Sequence, residues 1–153
     1  MVQALFANQR ETNLQSTIAL IDEVLGELGH DPKACRVDNE TWSIRKGSAV
    51  TRATLVSRTE FTHLRVCAVV MTLDGKVDRP ELYGHLLDLN ATLCGAAFAV
   101  QGDQVLLVSE RSTLDLDRSE VRELIKRVTT YADDHDDVLV ARFGGTMGSA
   151  TGS

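Results

Sequence analysis

Three times along the chain a Thr or Asp is followed three residues later by Gln or Glu: Thr12/Gln15, Asp78/Glu81 and Asp117/Glu120. Each pair opens a run of Leu, Ile and Val spaced as one helix face. A helix start leaves backbone N–H groups without intrahelical partners, and a pair at this spacing lets each side chain accept from the other residue's backbone. The pattern predicts helices over about 13–28, from 78 onward, and from 117 towards 143. Between them the residues alternate with period two, as strands with one face on a core do. The expected order is α-β-β-β-α-β-β-α, an α+β fold in which a mainly antiparallel, five-stranded sheet packs against three helices.

In the first helix Leu14, Ile18, Ile21, Leu25 and Leu28 form one apolar stripe, stopped by Gly29 and Asp31-Pro32. Residues 1–10, which lack a period, are expected to form a flexible N-terminal arm, 11–143 a single domain, and 144–153 a disordered tail. Strands are expected over about 41–46, 49–58 and 61–73, then as a hairpin, 96–101 and 104–110, closed by Gly102-Asp103.

The third strand carries the first functional signal. Its even positions Leu64, Val66, Ala68 and Val70 are apolar; its odd positions begin polar at His63 and Arg65 but end in Cys67, Val69, Met71 and Leu73. An antiparallel sheet with one wet face should not turn apolar on both sides, so another element or another molecule must cover that end. Phe61, Val69, Met71 and Leu73 therefore make a candidate partner-binding patch, with Leu5 and Phe6 of the arm as an intramolecular cover. The second helix has a double stripe, Leu82, Leu86, Leu89 and Leu93 beside Tyr83, Leu87, Asn90 and Cys94. Such a helix is buried over most of its circumference. Tyr83, Leu87 and Cys94 are accordingly expected either in the core of one protomer or in a homodimer interface.

Several phrases resemble the YbjN family and, more distantly, the type III secretion chaperones that share its fold. They are Leu89-Asn90, the hairpin running from Phe98 to Leu107, Leu114-Asp115-Leu116-Asp117 before the last helix, and the aspartate-rich stretch within it. The resemblance covers about 13–143. It implies helices packed on an antiparallel sheet, homodimerisation, and a protein client held through extended or partly unfolded segments.

Composition and spacing narrow the chemistry. The chain of 153 residues has a net charge of −6, which turns it away from nucleic-acid backbones. Six basic residues against three acidic ones nevertheless fall between Arg36 and Arg65. An RNA-binding sheet would need more exposed aromatics than Trp42 and Phe61. Cys35, Cys67 and Cys94 show neither disulfide nor zinc spacing, which fits a reducing, cytoplasmic compartment. His63 and Cys67 lie about 13 Å apart at strand rise, too far for an activated thiolate. The run Asp133-Asp134-His135-Asp136-Asp137 fans around a helix and does not converge on a metal, and no glycine loop has P-loop spacing. No catalytic, cofactor or metal site is expected, nor a membrane span. The competing reading is a small ligand-binding regulator or enzyme with a pocket between helix and sheet.

Overall fold

Hairpins build most of the sheet. In a computed structural model, which describes the backbone of residues 2–58 and 61–148 and the side chains of residue 9 and of 11 onward within those ranges, three antiparallel strands follow one another: β1 (Thr41–Lys46), β2 (Ala49–Ser57) and β3 (Thr62–Thr72). The later hairpin, β4 (Ala97–Gln101) and β5 (Gln104–Ser112), turns at Gly102, whose φ of 60° a side chain would disfavour. β5 docks on β3, so the order across the sheet is β1-β2-β3-β5-β4. The expected α+β architecture and element order are observed.

Four helices are described: α1 (Val2–Glu27), a single turn α2 (Pro32–Cys35), α3 (Arg79–Asn90) and α4 (Arg118–Phe143). The last two start where the capping pairs place them. Asp117 and Glu120 form the reciprocal box, with 2.9 Å bonds in both directions, and bonds from Ser119 and from the Glu120 N–H hold the Asp117 carboxyl below its usual range. Asp78 accepts from the Glu81 N–H at 3.1 Å. α1 departs from expectation. Residues 2–10, expected as an arm, continue its backbone, and Thr12 lies well inside the helix. Gln15 bonds the Glu11 side chain one turn back instead of capping a start. The preceding stretch contains no Gly or Pro and several good helix formers, so nothing there stops the helix. The expected cover by Leu5 and Phe6 falls outside the described side chains.

α4 lies across β3 and β2 with Val121, Leu124, Ile125, Val128, Ala132 and Leu139 buried. α1 packs on α4, where Arg118 bonds Glu23 and Glu27, and Arg122 bonds Glu27. Those bonds, Arg122 first, hold the Glu27 carboxyl below its usual range. Trp42 is fully buried at the foot of α1 and donates its indole N–H to Asp22 at 2.8 Å. Within the aspartate run, Asp136 is buried and accepts from the Ser48 hydroxyl at 2.6 Å, pinning the β1–β2 turn to α4.

Two further corrections concern the sheet and α3. A sixth strand, β6 (Thr146–Met147), pairs with the end of β3, within the segment expected to be disordered. A two-residue strand carries no period from which to predict it. In α3 only Leu82 and Leu86 are buried and Leu87 is 70% exposed, while Cys94, expected on this helix, lies beyond its end at Asn90 and is exposed. The helix is therefore not enclosed by its own chain. It packs at the edge of the sheet against β4, where Asn90 both donates to the Phe98 carbonyl at 3.2 Å and accepts from its N–H at 2.7 Å.

Candidate functional site

A β-bulge reshapes the patch expected on β3. Up to Val69 the strand alternates: Leu64, Val66 and Ala68 are buried beneath the helices, and His63, Arg65, Cys67 and Val69 lie half-buried on the opposite, outer face. Between Val69 and Met71 the register with β5 shifts by one residue, because Val69 faces Leu106 while Met71 faces Val105. The extra residue turns the remainder of the strand over. Met71 and Leu73 thus join the main core, at 0% and 5% exposure, rather than the outer face. Phe61 remains 45% exposed at the far end of the strand, and the structure does not bring it together with Val69 in one patch.

Neighbouring strands supply the outer-face residues that β3 alone does not reveal. Leu106 registers with Val69 and Ala99, and Val108 with Cys67 and Ala97. Val50 precedes Thr51, the core-facing partner of Ala68, and so points to the opposite, outer face on β2. Val50 and Leu106 are buried yet stand outside the main core cluster. One half of the outer face is thus an apolar band crossing β2, β3, β5 and β4. The signal that could have found it is the alternation in β2 and β5, where Val50, Leu106 and Val108 occupy outer positions.

The other half is charged. Glu110 accepts from Arg58 at 2.8 and 2.9 Å and from Arg65 at 3.0 Å. Burial works to raise its carboxyl, but the two arginines outweigh burial and hold it below its usual range. Because the folded state lowers this pKa, the linkage stabilises the fold above the ordinary carboxylate range and is lost as pH falls through the depressed value. Arg45 and Arg52, bordering the apolar band, are exposed and form no ion pair among the described residues.

Cysteine chemistry has no support at this face. Burial raises the Cys67 thiol against the opposing pull of Arg65 and Arg52, the reverse of what a nucleophile needs. Cys67→Ser and Cys94→Ser, alone or together, are expected to leave partner binding intact. Only the first should cost stability, about 1 kcal/mol by urea unfolding, since it places a hydroxyl in a half-buried apolar band. A folded double variant that no longer binds would restore a chemical role. Among the described residues no cluster of His, Cys, Asp and Glu has the geometry to hold a metal ion. A cleft of about 390 Å³ opens between β5 and the start of α4, but its lining arginines already face carboxylates, Arg111 with Glu120 at 2.7 Å and Arg127 with Glu123 at 3.8 Å. No described helix is long and apolar enough to cross a membrane.

Comparison with known proteins places this geometry. Residues 15–150 match the family model described as T3SS (YopN, CesT) and YbjN peptide-binding chaperone 1. No curated protein sequence matches the chain. Among solved structures, a chain of the ExsC–ExsE complex superposes with a TM-score of 0.64 at 16% identity, covering 82% of this chain and 94% of that one. A chain of the HopA1–SchA chaperone–effector complex gives 0.60 at 13%, covering 83% and 97%. One from the Yersinia pestis chaperone SycH bound to a YscM2 fragment gives 0.55 at 20%, covering 79% and 97%. At these identities the likeness establishes the fold.

Proposed function

Since the chain belongs to the family of type III secretion and YbjN peptide-binding chaperones, we propose that its outer sheet face is the surface that receives an extended segment of a client protein. The half-buried Val69 and Val108, flanked by the buried Val50 and Leu106, carry this reading, because they lie outside the main core on the face opposite the helices. A client strand laid across it would bury alternate side chains there, while its backbone bonds a sheet edge. The role is binding without chemistry, in keeping with the raised Cys67 thiol. Free thiols at Cys35, Cys67 and Cys94 suit action in the cytoplasm. We further propose a homodimer joined through α3 and the turn that follows it, where Leu87 and, past the helix end, Cys94 are exposed beside the half-buried Tyr83.

The tagged protein, co-purified with partners identified by mass spectrometry, supplies the client for the test. Val69→Asp places a charge in the band and should weaken client binding about tenfold or more, with little dependence on salt. Arg52→Glu should change it far less. If Arg52→Glu abolishes binding while Val69→Asp leaves it untouched, and affinity falls steeply between low and physiological salt, the basic border is the site and the apolar band is not.

A further inference from the structure

β3 runs beyond β2. Their register ends at Thr51 with Ala68, yet β3 continues to Thr72, and β5 occupies its other side through Met71 and Thr72. The backbone of residues 70–72 therefore offers bonding groups to a strand on the β2 side, a position that recruits extended chain. In this structure the occupant is the chain's own segment after α4. Gly144 and Gly145, both with positive φ, turn the chain back; Thr146 and Met147 pair with Thr72 and Met71, and the Gly148 N–H donates to the Val70 carbonyl at 3.1 Å.

The fit of that segment is narrow. A Cβ added at Gly145 would lie 2.5 Å from the Thr72 carbonyl oxygen, and one at Gly148 would lie 2.0 Å from the Val69 carbonyl oxygen. Both obstacles are backbone atoms fixed by pairing with β5, so this position accepts glycine at two points three residues apart. Gly148 also covers Val69, its Cβ position being 2.9 Å from Val69 Cγ1. Among the described residues the hold is slight, two registered pairs and one further bond, and Thr146 and Met147 are exposed. Short, exposed pairings of this kind open at little free-energy cost.

Resting on the client-binding reading above, we infer that Gly145–Gly148 is a tethered occupant of a client position on β3. A client enters by displacing it, as an extended segment with Gly-x-x-Gly spacing, and in doing so uncovers Val69. The tether keeps its own strand at an effective concentration on the order of millimolar, so a free segment competes at a disadvantage.

A fluorescent peptide, Phe-Gly-Gly-Thr-Met-Gly, is the probe. In full-length protein carrying Gly145→Val and Gly148→Val it should bind at least about tenfold more tightly than to the unmodified chain, because the competitor is gone. The same peptide with valine at both positions should not bind. A second measurement needs no variant: in the unmodified protein, saturating peptide should accelerate hydrogen exchange at the Gly148 amide. Equal affinity for both proteins, no binding to a variant that melts like its parent, or a Gly148 amide unmoved by saturating peptide would each overturn the inference. If the variant does not fold, the exchange result decides. A co-purified client that binds regardless of the glycine substitutions, yet is lost with Val69→Asp, overturns the tethered occupant alone; a client indifferent to Val69→Asp overturns the outer-face reading itself.

Discussion

Trp42→Ala is expected to lower stability by about 3–5 kcal/mol, the range for removing a large buried aromatic. Such domains hold only about 5–15 kcal/mol in total, so the variant should be partly unfolded at 37 °C. The indole is fully buried, and its N–H is bonded to Asp22. Arg36 lies 4.8 Å from the ring centroid and bonds the other Asp22 oxygen at 2.5 Å. Truncation therefore removes packing beneath α1, a cation–π contact and one of the bonds that orient Asp22. Urea unfolding followed by far-UV circular dichroism checks this without relying on the only tryptophan. A loss below about 1 kcal/mol would mean that α1 and β1 are not joined through this ring.

Leu87→Glu should leave the folded protomer as stable as before and shift a dimer to monomer, raising the dimer dissociation constant by tens to hundreds of times. Leu87 is 70% exposed within one chain, so the charge meets water there. At an interface it would be buried unpaired, at a cost of about 2–4 kcal/mol. The neighbouring Leu86, 4% exposed, is the control: Leu86→Glu puts the charge into the core and should unfold the protein in any assembly state. Light scattering on the unmodified protein at micromolar concentration decides the premise. A monomer there removes the interface from α3.

The sequence carried these elements unequally. α3 and α4 were legible because a cap, an apolar stripe and a stop coincide within a few residues, and the β4–β5 hairpin because Gly102-Asp103 sits between two alternating runs. Thr12/Gln15 has the same spelling as a helix start, but the residues before it favour helix just as strongly, so a local motif misread a longer element. The candidate patch failed at one place for a similar reason. Cys67, Val69, Met71 and Leu73 alternate without a break, and only pairing with β5 reveals that Val70 is an extra residue. Register belongs to two strands together, and one strand read alone cannot contain it. Likewise the second stripe of α3 was visible as apolar, but whether its own chain or another covers it depends on α3 sitting at a sheet edge.

The docking of α1 on α4 has a consequence for synthesis. Arg118 bonds Glu23 and Glu27 across 95 and 91 residues, and the Thr113 hydroxyl bonds Asn13 at 2.8 Å across 100. α1 is therefore synthesised well before the helix on which it rests. At roughly 5–20 residues per second, its stripe of Leu14, Ile18, Ile21 and Leu25 waits about 5–20 s for the surface that buries it. For that interval the nascent chain displays an uncovered amphipathic helix, the kind of segment that general folding factors bind. A member of a family of peptide-binding chaperones thus exposes, while it is being made, an apolar helix face of its own.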